Sequence, residues 1–276
     1  MMIRSGLLGR AILASSSPRL HEEEARALGL ELTYELFDFT QRGLADADLA
    51  SVVDNLKRQG FAGFNVTYPF KQAIMPLMDE LAPSAQAAGA VNTVAIRDGR
   101  LIGHNTDMPG FRDSLLAGLP GAALGHVIQL GAGGAGSAVA NALLSLGVAR
   151  LELVDPDAAR AGALATDLAA RYPSARVLVT PLADLDTAPA DGIVNATPIG
   201  MAAKPGTPIP AEAIAAHHWL ADIIYFPLET ELLQVARSKG CRAINGIGMV
   251  VGQAALALGI ITGHTPDAER MKQSLA

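Results

Sequence analysis

The chain is predicted to form two α/β domains. The second is a Rossmann-type doubly wound parallel sheet, and the C-terminal helix returns to the first. Three observations predict this. Strand and helix periodicities alternate along the chain, Asp98-Gly99 marks a tight hairpin, and Gly131, Gly133 and Gly136 spell a G-x-G-x-x-G turn.

The 276 residues suit one large domain or two of ordinary size, and a hydrophobic content of 50% is ample for a core. A net charge of −6 offers no basic excess to neutralise phosphates, which argues against a nucleic-acid partner. Cys241, the single cysteine, cannot form an internal disulfide, so a reducing cytoplasm is expected. No apolar run reaches the roughly 18 residues that span a membrane. Residues 7–14 after Arg4 mimic a leader only faintly, because Arg10 interrupts them. The six histidines show no ligand-like cluster, and His217-His218 are adjacent rather than four apart, so no metal is expected.

Residues 3–14 read as a strand and loop. Ser17 then offers an N-cap, Pro18 suits the first helical turn and Gly29 can close the helix. Leu49, Val52, Val53 and Leu56 form one helical face ended by Gly60. Residues 64–67 make a short strand, after which Pro69 opens a helix that Pro76 interrupts. With Asp98-Gly99 as the turn, Arg97 faces Arg100 and the pairing runs back to Asn92 opposite Asn105. Asp107 then becomes the diagonal neighbour of Asn92 at the open end of the hairpin.

From His126 the pattern is that of a nucleotide-binding unit. Residues 126–130 form an apolar strand, and Val139, Ala142, Leu143 and Leu146 a helical stripe. A second strand at 151–154 ends at Asp155, and Ala161, Leu164, Ala165 and Leu168 form the next stripe. Strands follow at 176–180, 192–196 and 220–225, a helix at 228–239 and a strand at 241–244. Residues 249–261 are apolar nearly all round, so this last helix should be buried against the first domain. The expected domains are 1–108 with 245–276, and 109–244.

The glycine turn has its full context, a strand before it, a helix after it and an acid 19 positions past Gly136. Residues Gly131, Ala132, Gly133, Gly134, Ala135 and Gly136 would cradle a pyrophosphate at the helix N-terminus. Asp155 would accept hydrogen bonds from ribose hydroxyls and repel a 2′-phosphate, with Arg160 the first cation nearby. NAD is therefore expected over NADP. The alternative for Asp155 is a helix N-cap before Pro156. Oxidising a secondary alcohol also needs a proton acceptor. Lys71, in the first turn of the Pro69 helix, opposes the helix dipole, which disfavours its protonation, and Asp107 could orient it as the base; taken singly, a solvated surface lysine and a turn aspartate are the plainer readings.

Residues 63–71 (GFNVTYPFK), 89–93 (GAVNT), 103–107 (GHNTD), 195–198 (NATP), 222–225 (DIIY) and 245–249 (NGIGM) with Gln253 resemble the signature motifs of the shikimate dehydrogenase family. The resemblance runs in order over nearly the whole chain. It implies a two-domain enzyme, with substrate in the cleft between the domains, that reversibly oxidises shikimate to 3-dehydroshikimate with a nicotinamide cofactor. Carried over, Lys71 and Asp107 are the catalytic pair. Ser15 and Ser17 bind the substrate carboxylate, and Tyr225 reaches the same side. Thr67, Asn92, Asp107 and Gln253 hold the ring hydroxyls, and Thr197, Gly246 and Met249 belong to the cofactor site. The second strand lacks the phosphate clamp of the NADP-using members, and Asp155 with Arg160 looks like the NAD-using quinate/shikimate branch. Ser17 in place of threonine leans toward shikimate, with quinate or aminoshikimate as alternatives. A catalytically silent metabolite sensor is a further alternative, against which both Lys71 and Asp107 speak. The expected partner is a small cyclic hydroxy acid, on a monomer or homodimer.

Overall fold

Two six-stranded sheets organise the chain. The computed structural model describes residues 2–275. Contacts divide it into two units, one running to Pro109 and resuming at Val251, the other Gly110–Val250. These divisions fall at 109/110 and 250/251, both inside helices, rather than at the expected 108/109 and 244/245.

The first unit contains β1 (Ile3–Gly9), α1 (Ser17–Ala27), β2 (Leu32–Asp38), α2 (Leu49–Arg58), β3 (Gly63–Val66), α3 (Phe70–Ala73), β4 (Glu80–Leu81), α4 (Pro83–Ala88), β5 (Thr93–Arg97) and β6 (Arg100–His104). Its sheet has the order β2-β1-β3-β5-β6-β4. β1 runs parallel to β2 and β3, whereas β5 is antiparallel to both β3 and β6. The β5–β6 hairpin turns at Asp98-Gly99 with Arg97 opposite Arg100, and both turn residues take positive φ, as this tight turn demands. Its ladder ends at Thr93–His104. A core of Leu8, Phe37, Val53, Leu56, Phe64 and Phe70 accounts for the apolar face of α2.

The helix after Pro69 is a single turn, closed by a 3₁₀ turn at Met75–Leu77 that contains Pro76. Ser17 is not the N-cap of α1. Ser16 holds that position without a side-chain hydrogen bond, and Ser17 is the first helical residue. β2, β4, α4 and the terminal α10 (Ala268–Gln273) have no counterpart in the periodicity reading. β2, at the sheet edge, exposes Thr33 and Glu35 between more buried neighbours, but Phe37 and Asp38 are buried in succession, which breaks the alternation.

The second unit contains most of α5 (Asp107–Gly118), then β7 (His126–Leu130), α6 (Gly134–Ser145), β8 (Arg150–Val154), α7 (Ala158–Arg171), β9 (Arg176–Val179), β10 (Gly192–Asn195), β11 (Trp219–Asp222), α8 (Glu231–Ser238) and β12 (Arg242–Ile244). Its strands are all parallel in the order β12-β11-β10-β7-β8-β9, the doubly wound arrangement with its switch point between β7 and β10. Asp157, not Asp155, caps α7, accepting the Arg160 amide at 3.0 Å.

The C-terminal helix α9 (Ile247–Thr262) does return to the first sheet. The Arg97 guanidinium at the end of β5 donates to the carbonyls of Ile260 (2.5 Å) and Ile261 (2.9 Å). The helix is buried on most sides, but Leu256 is 40% exposed. Beyond it, the buried Glu24 of α1 accepts two hydrogen bonds from the Arg270 side chain and so fastens α10 to the first unit.

Candidate active site

In the first unit, β1, β3 and the open end of the β5–β6 hairpin finish at one edge of the sheet. Asp38, at the end of β2 and 1% exposed, shapes this edge. Its carboxylate accepts the amides of Ile12 (2.7 Å), Thr40 (2.9 Å), Ala11 (3.1 Å) and Gln41 (3.3 Å). Burial opposes the charge, yet these four donors outweigh it and hold the carboxyl below its usual range. The loop so held, with Ala11 at φ 53°, leads into Ser15 and Ser17, whose Oγ atoms lie 3.1 Å apart.

Thr67 follows β3 and is tied to β1 through its amide, which donates to the Leu8 carbonyl at 2.9 Å. Gly9 must be glycine here, since a Cβ would stand 2.5 Å from Thr67 Cγ2. The carbonyl of Lys71, within α3, accepts the Val91 amide at 2.8 Å. Its Nζ donates to Asp107 Oδ2 at 2.6 Å, with the two side chains only 18% and 10% exposed. Because α3 is a single turn, the helix-dipole argument falls away, and the ion pair places Lys71 instead. A largely desolvated pair of this kind contributes little net stability.

Asn92, 3% exposed, bonds to Thr106 rather than to Asn105. Its Nδ2 donates to Thr106 Oγ1 at 2.9 Å, and its Oδ1 accepts the Thr106 amide at 2.8 Å, so Asp107 follows directly from this clamp. Asn105 turns aside to accept the Met108 amide in the first turn of α5. The polar edge extends through residues that periodicity alone did not single out. Tyr34 Oη donates to Asn65 Oδ1 at 2.8 Å, and Asn65 Nδ2 donates to Thr93 Oγ1 at 3.0 Å. Burial pushes the Tyr34 phenol up, with a contact to Ser17 opposing it. Buried polar side chains inside apolar strands, such as Asn65 between Phe64 and Val66, were the available signal. Gln253 lies half-buried on α9 within this unit.

In the second unit, Gly131 turns with φ 97°, and a Cβ there would stand 2.7 Å from the Ala196 carbonyl oxygen. A Cβ on Gly136 would stand 2.3 Å from the Gly131 carbonyl oxygen. Gln129 Nε2 fastens the turn by donating to the carbonyls of Gly131 (2.8 Å) and Gly136 (2.9 Å). Gly133 and Gly134 face open space at the start of α6, which has no side-chain cap. A pyrophosphate therefore fits there, on free N–H groups at the positive end of a three-turn helix. Asp155 ends β8. Its Oδ2 accepts the Ala132 amide at 2.7 Å, and its Oδ1 accepts the Asp157 amide at 2.8 Å and Arg160 Nη2 at 2.6 Å. Burial opposes its charge, but these donors, Arg160 foremost, hold the carboxyl below its usual range. Three of about four acceptor positions are thus taken, so binding both ribose hydroxyls requires the half-exposed Arg160 to swing aside. Thr197 is held by Asn195, Gly246 donates its amide to the Ile224 carbonyl at 2.9 Å, Tyr225 is half-buried and Met249 is buried.

Among the described residues no group of three or more His, Cys, Asp and Glu side chains could hold a metal ion, and no helix is long and apolar enough to cross a membrane. A doubly wound sheet with a phosphate cradle in one unit, and a largely desolvated Lys–Asp pair in the other, define the class as a dinucleotide-dependent oxidoreductase.

Residues 7–94 match the family model of the shikimate dehydrogenase substrate binding domain, and residues 246–276 that of the shikimate 5′-dehydrogenase C-terminal domain. The chain is 49% identical to a shikimate dehydrogenase (NADP(+)) of Pseudarthrobacter chlorophenolicus, over 97% of this chain and 92% of the relative. It is 43% identical to a quinate/shikimate dehydrogenase (NAD(+)) of Corynebacterium efficiens, over 97% and 95%. The quinate dehydrogenase of Corynebacterium glutamicum, solved in complex with NAD, superposes with a TM-score of 0.93 at 40% identity, covering 99% of this chain and 98% of that one. The chain belongs to the shikimate dehydrogenase family.

Proposed function

We propose that the chain is an NAD-preferring shikimate dehydrogenase that reversibly oxidises shikimate to 3-dehydroshikimate, with Lys71 and Asp107 as the acid–base pair. The observation that carries this is the 2.6 Å contact between Lys71 Nζ and Asp107 Oδ2 at the polar edge of the first sheet. Ser15 and Ser17 receive the substrate carboxylate, with Tyr225 toward the same side. Thr67, Asn92, Asp107 and Gln253 receive the ring hydroxyls. The nicotinamide, when bound, supplies the two-electron acceptor. As the carbinol hydrogen leaves, the Lys71 amine takes the hydroxyl proton; in the reverse direction its ammonium returns it. Asp107 holds Nζ in line for both transfers. A cytoplasmic monomer or homodimer fits this reading.

NAD preference rests on Asp155. Together with Asp157 and Arg160 it leaves a net negative charge where a 2′-phosphate would lie. The relatives carry both cofactors in their names, so this part rests on the site chemistry. Quinate oxidation is a second reading, favoured by the likeness to the quinate dehydrogenase of Corynebacterium glutamicum. Initial rates with shikimate or quinate, each with NAD⁺ or NADP⁺, test the proposal. Shikimate with NAD⁺ is expected to be fastest. Faster quinate turnover supports the second reading, and no turnover in any combination refutes both.

A further inference from the structure

Strand order places the two halves of a dinucleotide on opposite sides of the switch point. Asp155 at the end of β8 marks the adenosine side, and the ends of β10, β11 and β12 mark the nicotinamide side. On that second side three loops converge on one buried carboxylate, Asp222, which is 1% exposed at the end of β11. Its Oδ1 accepts Asn195 Nδ2 and the Ile224 amide, both at 3.0 Å, and its Oδ2 accepts Thr230 Oγ1 at 2.7 Å.

Each donor controls a different segment. Asn195, opposite Asp222 in the β10–β11 ladder, uses its Oδ1 to accept both the amide (3.0 Å) and the hydroxyl (2.7 Å) of Thr197, and its Nδ2 also donates to the Ile199 carbonyl. The Ala196–Thr197 peptide it fixes is the wall that forbids a Cβ at Gly131. Ile224 precedes Tyr225, and its carbonyl accepts the Gly246 amide; a Cβ on Gly246 would stand 2.0 Å from the Ile223 carbonyl oxygen. Thr230 caps α8 by accepting the Leu233 amide at 3.4 Å. Burial raises the Asp222 carboxyl, opposed by these three contacts, so the group is held at a cost that ordinary packing would not require. A carboxylate suits the position because it only accepts, and all three neighbours donate.

We infer that Asp222 is a positioning residue for the nicotinamide half of the cofactor site, setting the Thr197, Tyr225 and Gly246 segments in register through Asn195, Ile224 and Thr230. The inference rests on the dehydrogenase reading above. Calorimetric affinities for NAD⁺ and for ADP-ribose, which keeps the adenosine and both phosphates but lacks the nicotinamide, separate the two. In Asp222→Ala the NAD⁺ affinity should fall at least about tenfold while ADP-ribose stays within about twofold. Asp222→Asn keeps the shape and the Oδ1 acceptor but turns a donor toward Thr230. It should show the same selective loss at about threefold, and it decides the question if the alanine variant does not fold. An equal loss for both molecules, or none for either, in the folded variant overturns the role of Asp222 alone. A parent protein that binds neither molecule overturns the dehydrogenase reading, and this role with it.

Discussion

Lys71 and Asp107 stand 36 residues apart in the chain, yet Nζ and Oδ2 meet at 2.6 Å. The first arrives on the single turn after β3, the second directly after the Asn92–Thr106 clamp at the hairpin mouth. If Asp107 holds the lysine in line, Asp107→Asn keeps the shape but weakens the hold. The variant should lose about 100-fold in kcat. Steady-state kinetics at saturating shikimate and NAD⁺ measure this, and an unchanged kcat would remove Asp107 from the mechanism.

Asp38 gathers four backbone amides that an asparagine, with one acceptor oxygen and one donor nitrogen, cannot all satisfy. Asp38→Asn should cost about 2 kcal/mol at pH 7 through unpaired buried donors. It should also raise KM for shikimate, because the loop carrying Ser15 is released. The folded carboxyl lies below its ordinary value, so its contribution is full above the unfolded pKa of about 4 and fades as pH falls through the folded value. Urea unfolding of parent and variant should therefore differ at pH 7 and converge in acid. A gap that widens in acid would contradict this sign.

Gly136 has no room for a methyl group, since the obstacle 2.3 Å away is the backbone oxygen of Gly131. Gly136→Ala should weaken NAD⁺ and ADP-ribose alike, by at least about tenfold, because the pyrophosphate cradle serves both. Shikimate binding should be untouched. Wild-type affinity for ADP-ribose in this variant would mean that the phosphates lie elsewhere.

Asp155 and Arg160 are already bonded to each other; if the ribose binds here, cofactor choice follows from which of them it displaces. Asp155→Ser removes the negative charge and frees the guanidinium. The ratio of kcat/KM for NADP⁺ over NAD⁺ should rise at least about tenfold. A ratio that does not move would take Asp155 out of cofactor selection.

Much of this was legible where a local rule has a single structural answer. Asp98-Gly99 dictated the hairpin register, and through it the neighbourhood of Asn92 and Asp107. The glycine fingerprint dictated β7, α6 and the acid at the end of β8. What escaped depends on partners distant in sequence. Asp38 looks like an ordinary edge-strand acid until the loop at residues 11–12 folds over it. Ser17 reads as a cap by type, but the chain enters α1 one residue earlier, at Ser16. Asp155 likewise reads as a cap until Asp157 takes that place and leaves it to Ala132 and Arg160. Asn195 and Asp222 could be quoted as motif residues, but their joint role emerges only from the pairing of β10 with β11.

On the proposed mechanism Lys71 moves the proton. The most direct measurement is kcat for shikimate oxidation by NAD⁺ in the parent and in Lys71→Met, with shikimate affinity measured separately. Methionine keeps the length of the stem and removes the amine. If Lys71 carries the proton, kcat should fall about 1,000-fold, with shikimate affinity changed by less than about tenfold. A variant that turns over near the parental rate would contradict it.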